Sequence, residues 1–512
     1  MTLAAAFSNR AEALCSDPRR VVAAILGYVL LFGALRFLWP ALQLDDAVEM
    51  LHGQGWALAY SPIQPPLYTW MIVAAQIPFG PSVAAAALVD YVALALAYLA
   101  IFAAAREALD DVAAAALATG SLTLTVTLGY DAHIAITQSE LLLCFVALAV
   151  LALLRIARGR GTSATWVLLG AALGLGLLSK YSLPLYIVPL VVAMLTDRSM
   201  RPHLLDRRWG LALAVMLVLA APHLVGLAHA PWRVDAAWQQ TMVMQPSSRW
   251  QQIPGGFRDF LVGLLLAPLP MSALWLLLLP RGFRWRPALP PERLVVRRLL
   301  GRWLLLMLAG ALIAIPALGI GQVRTHYFLV PLVPAALFFF AGFAPGEPDR
   351  HRRARFAAVI AAGTAVIALF MVGHRAVGAM RCFNCWTERD YADAAAAIRD
   401  AGFAGGTILS ETNADAGNLR IHFPDSTVYS SSFPHVAAAR SQAGRPCLIL
   451  WDGRAVAAGP PATLQTLARR VLAIEPQTLP PGRVATGRLR GWKGGSFGLA
   501  YVIVPPGTGR CG

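Results

Sequence analysis

A chain of 512 residues that is 57% hydrophobic and only 14% charged is too apolar for an ordinary soluble domain, in which roughly 25% of residues carry charge. Its formal charge of +16 raises the idea of nucleic-acid binding. The Arg residues sit mainly in short loops between apolar runs, however, where they orient a membrane protein. Lys occurs only at 180 and 493 while Arg, Ala and Gly abound, a composition that reads as GC-rich bacterial coding.

The N-terminus shows no A-x-A site after a short apolar core, so its first apolar stretch reads as a retained span. Eleven runs reach, or nearly reach, the length that crosses a ~30 Å hydrocarbon core. They cover 21–39, 83–105, 112–128, 134–154, 165–179, 183–196, 210–229, 259–279, 303–320, 328–343 and 356–373. The fifth and sixth are short and separated by Ser179-Lys180-Tyr181-Ser182, so they can equally form one interrupted element. Gly170, Gly174 and Gly176 place small residues at helical spacing, the pattern of close helix packing; no strand precedes them, which excludes a nucleotide loop.

Counting Arg and Lys on alternate sides gives 22 against 5. The poor side holds only Lys180, Arg233, Arg249, Arg258 and Arg324. By the positive-inside rule the N-terminus is cytoplasmic, and the first long loop (about 40–82) and the C-terminal tail face outward. From 376 to 512 the apolar runs shorten to strand length at 407–410, 427–429, 447–451 and 499–504, alternating with helix-like stretches at 390–401 and 462–473. The expected architecture is an α-helical polytopic membrane protein of about 11 transmembrane helices over 1–375, with a small C-terminal α/β extracytoplasmic domain, periplasmic in a bacterium. Cys382, Cys385, Cys447 and Cys511 fall in that domain, which fits disulfides in an oxidising compartment with three pairings open. Cys382 and Cys385 also have the spacing of a redox or metal pair, but no second such pair or nearby His pair accompanies them. Trp492-Lys-Gly-Gly-Ser496 reads as a turn.

Asp45, Asp46 and Glu49 lie just beyond the first span, in a stretch (40–70) without Lys or Arg. Acids in that position need a water-filled cavity or an interface. Asp45 and Glu49 are i, i+4 and share a helix face, and Pro65-Pro66 stiffens the return to the membrane. Glu140 lies inside the fourth span, where an acid calls for a partner or a cavity. Asp131 stands just before that span and also suits a helix cap. His133 fits a hydrogen-bonded interfacial residue as well as a ligand. No His set at metal spacing accompanies it, so no metal site is expected, and a divalent cation lacks support.

Several segments together resemble the GT-C glycosyltransferases, in particular the family of protein O-mannosyltransferases and lipid A aminoarabinose transferases. Leu44-Asp45-Asp46-Ala47 with Glu49-Met50 is similar to the family's D-E-A…E-M, and Gln64-Pro65-Pro66-Leu67-Tyr68 to its K-P-P-L-Y. Gly129-Tyr130-Asp131 with Gln138-Ser139-Glu140-Leu141-Leu142 matches the start of its fourth span. The run from Trp166 to Tyr181 is similar to G-x-x-x-G-L-x-x-x-x-K-Y, and Arg324-Thr-His-Tyr-Phe-Leu-Val-Pro-Leu-Val-Pro334 to R-Y-x-x-P-x-x-P.

The resemblance implies transfer of a sugar from a polyprenyl-phosphate donor to a lipid, glycan or protein acceptor on the outer face of the inner membrane, as in assembly of cell-envelope glycolipids such as lipopolysaccharide. Inverting transfer needs a base for the acceptor hydroxyl and cations or donors for the leaving phosphate. Asp45 is the expected base, with Asp46 beside it and Glu49 shaping its pKa or binding sugar. Gln64 stands where the family has Lys; if that Lys meets the donor phosphate, either another outward cation does so here or the donor differs. Lys180 and Arg324 with His326 come first, then Arg249 and Arg258. Gln64, Tyr68, Asp131, His133, Glu140, Tyr181 and Tyr327 complete the expected substrate-binding set, while Trp56, Trp238 and Trp250 suit either sugar stacking or an interfacial belt. Two rival readings are a transporter or flippase of a lipid-linked saccharide, against which no internal repeat is visible, and a polymerase or ligase of surface polysaccharide. The topology has a direct check: a Cys placed at position 45 is expected to react with a membrane-impermeant thiol reagent added from the periplasmic side, and labelling only from the cytosol would overturn the assignment.

Overall fold

The apolar runs become helices because length and hydropathy leave a bilayer segment no other way to satisfy its backbone. A computed structural model describes residues 15–134, 137–230, 249–284, 288–344, 347–381, 386–436, 439, 442–475, 479–492 and 494–511. In the membrane half the helices are α1 (Pro18–Arg36), α2 (Leu44–His52), α3 (Leu67–Phe79), α4 (Val83–Leu109), α5 (Val112–Ser121), α6 (Thr137–Ala157) and α7 (Ser163–Ser179). They continue with α8 (Pro184–Leu195), α9 (Trp209–Ala228), α10 (Arg249–Leu266), α11 (Met271–Leu278), α12 (Pro291–Leu318), α13 (Leu329–Phe340) and α14 (Arg350–Arg381). Among the described residues, six helices are long and apolar enough to cross a membrane: α1, α4, α6, α9, α12 and the first 28 residues of α14. Shorter apolar helices cover 67–79, 112–124, 163–179, 184–195 and 325–340.

The structure departs from the expected reading at several places, and at two of them prolines are the local cause. The run at 259–279 is broken, because Pro268 and Pro270 stop α10 at Leu266 and delay α11 to Met271. The loop at 40–82 is largely helical, with Pro66 standing at the N-cap of α3, so the prolines fix where that helix begins.

The chain divides into two units. The first comprises 1–31, 62–65 and 92–367, the second 32–61, 66–91 and 368–512. In the first unit α7 packs between α6 and α9. Gly170 makes that approach possible: a Cβ there would stand 2.4 Å from the carbonyl oxygen of Ala212. At the far end of α4, Glu107 receives Arg155, Arg158 and Arg160, joining the ends of α4 and α6.

The second unit holds a six-stranded sheet made of β1 (Arg389–Asp390), β2 (Thr407–Ser410), β3 (Thr427–Ser430), β4 (Cys447–Asp452), β5 (Arg483–Leu489) and β6 (Gly495–Val504). The strand order is β1-β5-β6-β4-β2-β3. β2 pairs parallel with β3 and β4, and the rest of the sheet is antiparallel. One face is covered by α15 (Ala392–Asp400) and α16 (Asn413–His422), the other by α17 (Ala462–Leu472). Ala41 and Leu51, from the loop after α1, belong to the same apolar cluster as Ile408, Leu419 and Leu448. The acidic loop is thus part of this domain's core.

Cys447 is bonded to Cys511 across 64 residues, which excludes the two pairings that join either of them to Cys382 or Cys385; those two cysteines lie outside the described residues, as does Lys493 of the expected turn. Closing a loop of that length stabilises by about 4 kcal/mol in the chain-entropy account. Cys511→Ser is therefore expected to lower the unfolding midpoint of the purified protein markedly, and reduction of the wild-type protein to produce the same shift. No change in either measurement would show that the bond does not form.

Candidate active site

Helix α2 is too short to persist alone, and each of its acids occupies a different environment. Asp46 is buried at 2% exposure and faces Arg36, the last residue of α1, with Nη2 3.3 Å from Oδ2 and only 1% of the Arg side chain exposed. The same guanidinium nitrogen donates to the Ala41 carbonyl at 3.0 Å. Asp90, inside α4, lies within hydrogen-bonding reach of Asp46 and accepts from the Tyr68 hydroxyl. Asp46 is therefore already occupied, and Tyr68, fully buried, spends its hydroxyl on Asp90.

Glu49 is also fully buried and accepts from Thr69 Oγ1 at 2.6 Å. His52, one turn further on, packs edge-on against Phe433 with ring centroids 4.4 Å apart. Its Nδ1 stands 4.0 Å from Glu49, beyond hydrogen-bond range, so burial outweighs the neighbouring charge and pushes its pKa down to about 4. Asp45 is the remaining acid of α2 and the only one of the three that is half-exposed.

The first unit gathers a second set. Lys180 caps the C-terminus of α7 and donates to Ser139 Oγ on α6 at 2.7 Å. Lys180 and Arg324 are both electrostatic neighbours of His326, whose ring meets Tyr327 edge-on at 4.6 Å, and Arg324 also acts on Tyr327. Near the start of α6, His133 Nε2 meets the Tyr28 hydroxyl at 2.8 Å, and burial holds this His neutral with a pKa of about 3. Tyr28 and Tyr98 stack edge-on at 5.5 Å, and Glu140, almost wholly buried, acts on Tyr98. Asp131 is half-buried, and that burial pushes its pKa up to about 6.

The other expected residues are placed less centrally. Tyr181 bonds His223 at 2.8 Å, Arg258 pairs with Asp259 at 2.8 Å on an exposed surface, and Gln64 is half-buried. Arg249 opens α10, but its side chain lies outside the described residues, as does Trp238; Trp56 and Trp250 are exposed. Among the described residues no three His, Cys, Asp or Glu side chains form a metal-holding group. Sequence reasoning missed Arg36, Asp90, Thr69 and His52. Arg36 and Asp90 sit inside apolar runs, and an ionisable residue in a span was the signal that marked them.

The family profile described as dolichyl-phosphate-mannose-protein mannosyltransferase matches residues 63–225. The fold matches the crystal structure of ArnT from Cupriavidus metallidurans bound to undecaprenyl phosphate, with a TM-score of 0.61 and 15% identity, covering 95% of this chain and 98% of that one. The apo structure of the same protein gives a TM-score of 0.56 at 15% identity, over 94% of this chain and 98% of that chain. Together with the curated relatives described next, these matches make the chain a membrane glycosyltransferase with the GT-C fold. Over 94% of its length it is 28% identical to the lipopolysaccharide core galacturonosyltransferase RgtA of Rhizobium johnstonii, covering 97% of that protein. It is 27% identical to RgtB of the same organism, another lipopolysaccharide core galacturonosyltransferase, over 83% of this chain and 85% of the relative. The flippase reading is not favoured by these relationships.

Burial of His52 has a consequence for pH. Its folded pKa near 4 lies below the ordinary 6.5, so the unfolded chain binds the extra proton. Stability contributed by neutral His52 is complete above about pH 6.5 and is lost as pH falls toward 4, by on the order of 3 kcal/mol. Thermal unfolding in detergent between pH 7.5 and 4.5 is expected to show that decline, and His52→Leu to flatten it. An unchanged slope in the variant would contradict the assignment.

Proposed function

We propose that the protein transfers a sugar from a polyprenyl-phosphate donor to a glycolipid of the cell envelope on the outer face of the inner membrane, with galacturonic acid the first sugar to test. The donor class is supported by the fold shared with ArnT, whose structure contains undecaprenyl phosphate. The sugar and the acceptor class, a lipopolysaccharide core, are supported by the names of the two Rhizobium relatives. The outward orientation rests on the Arg distribution and is supported by a disulfide in the domain that would lie in the periplasm.

One observation carries the choice of base. Asp45 is half-exposed on α2, whereas Asp46 and Glu49 on the same helix are buried. In the reaction Asp45 takes the proton of the acceptor hydroxyl. The hydroxyl oxygen forms the new glycosidic bond to the anomeric carbon as the bond from that carbon to the phosphate oxygen breaks. Polyprenyl phosphate leaves with the electron pair, and the anomeric configuration inverts. In the first unit, Lys180 and Arg324, both electrostatic neighbours of His326, form by themselves a cationic group of the kind that binds a phosphate. Lys180 takes over the role implied for a Lys at position 64, where this chain has Gln.

The test uses purified protein with undecaprenyl-phosphate galacturonic acid, radiolabelled in the sugar, and a lipopolysaccharide core acceptor. Wild-type protein is expected to release undecaprenyl phosphate and label the acceptor, and Asp45→Asn to lower turnover by about 10²–10⁴-fold. Full turnover in that variant would remove Asp45 as the base. Movement of the intact donor across a vesicle without sugar release would replace the transferase with a flippase.

A further inference from the structure

The helix carrying the proposed base is gripped along its length by α16 and β3 of the C-terminal domain. Ahead of α2, the Leu42 N–H donates to Asn418 Oδ1 at 2.8 Å, and the Asn418 amide donates back to the Leu42 carbonyl at 3.4 Å. At the middle, Gly417 lies against the α2 backbone: a Cβ there would stand 2.3 Å from the Ala47 carbonyl oxygen and 2.6 Å from its Cα. Near the end of α2, Arg420 donates to the Met50 carbonyl and, at 2.7 Å, to Gln76 Oε1 of α3. Beyond α2, the Gln54 amide pairs with both backbone groups of Val428 on β3, at 2.7 and 2.8 Å. Asn418 and Arg420 are both buried, at 2% and 3% exposure.

These contacts fix both translation and tilt, because they fall before, within and after a helix of nine residues. A grip on backbone atoms holds the helix whatever side chains it carries. We propose that the C-terminal domain acts as a brace for the reaction, and that Gly417, Asn418 and Arg420 are positioning residues that set where the acids of α2 stand. This inference rests on the reading of Asp45 as the base. It assigns to the domain a role in turnover rather than in holding substrate.

The geometry gives a magnitude. Ordinary van der Waals contact with a Cβ begins near 3.4 Å, so Gly417→Ala forces α2 back by about 1 Å. A displacement of that size at a reacting group costs on the order of 10²-fold in rate. Helix propensity works the other way, since Ala stabilises a helix interior relative to Gly. A role for Gly417 in packing alone still gives a Gly417→Ala protein that is less stable but, once folded, turns over normally.

The experiment measures kcat and donor KM, with undecaprenyl-phosphate galacturonic acid as the probe, for Gly417→Ala, Arg420→Met, Arg420→Lys and Asp45→Asn in the full-length protein. Gly417→Ala is expected to lower kcat at least tenfold with donor KM within twofold. Arg420→Met is expected to behave likewise, and Arg420→Lys, which keeps the charge and one donor, to recover a substantial part of the loss. Wild-type kcat in folded Gly417→Ala and Arg420→Met would overturn the brace, as would a loss confined to KM. If Gly417→Ala does not fold, the contrast between Arg420→Met and Arg420→Lys decides by the same criteria. Asp45→Asn separates this inference from the base assignment. Full turnover in Asp45→Asn with slow Gly417→Ala removes Asp45 as base yet keeps α2 under the brace. Loss in Asp45→Asn with normal Gly417→Ala removes only the brace.

Discussion

A guanidinium and a carboxylate that face each other with water excluded anchor the loop after the first span. Arg36 and Asp46 are 1% and 2% exposed, and neither charge tolerates that environment alone. Removing one partner of such a pair costs about 3–5 kcal/mol, although the intact pair adds little net stability over apolar packing. Its value lies in specificity. Arg36 also bonds the Ala41 carbonyl, and Asp46 also meets Asp90, so α2 has one low-energy seat at the ends of α1 and α4. Everything proposed for Asp45 depends on that seat, because Asp45 is the neighbour of the anchored residue and points where its backbone is held.

The C-terminal domain completes the restraint with a different chemistry. The Arg36 cluster acts on a side chain of α2, whereas Asn418, Arg420 and Gly417 act on the backbone around it. A nine-residue helix cannot hold its shape by its own hydrogen bonds. Two independent restraints therefore define its position, and the domain that supplies one of them shares an apolar core with the loop itself through Ala41 and Leu51. Such preorganisation matters for a base, since its efficiency falls steeply with small displacements.

Much of the membrane half was legible because a bilayer imposes one rule on every segment. A run such as 210–229 has to be helical to satisfy its backbone, and it appears as α9 with nearly the same bounds. The alternation of short apolar runs after 376 likewise announced strands, and β2, β3, β4 and β6 appear there. The break at Pro268 and Pro270 lies within an otherwise apolar stretch, where proline rather than hydropathy marks the end of a helix. Within the site, Asp45, Asp46 and Glu49 could be picked out as a cluster, since acids beside a span are costly wherever water is absent. Their separate fates could not be read. Helical spacing puts Asp45 and Glu49 on one face, yet burial depends on what packs against that face, and Thr69, Phe433 and Asp90 come from elsewhere in the chain.

By itself the sequence determined which segments are apolar enough for a bilayer, how unevenly Arg is spread between them, and the residue types available for transfer chemistry. These follow from composition and order along the chain, which are local quantities. Only the tertiary structure decided that Arg36 neutralises Asp46, that Cys447 pairs with Cys511 and that α16 grips α2. The last of these joins residues about 370 positions apart. Nothing in a local pattern encodes which distant backbone a bare glycine will meet, because that is fixed by how whole faces pack.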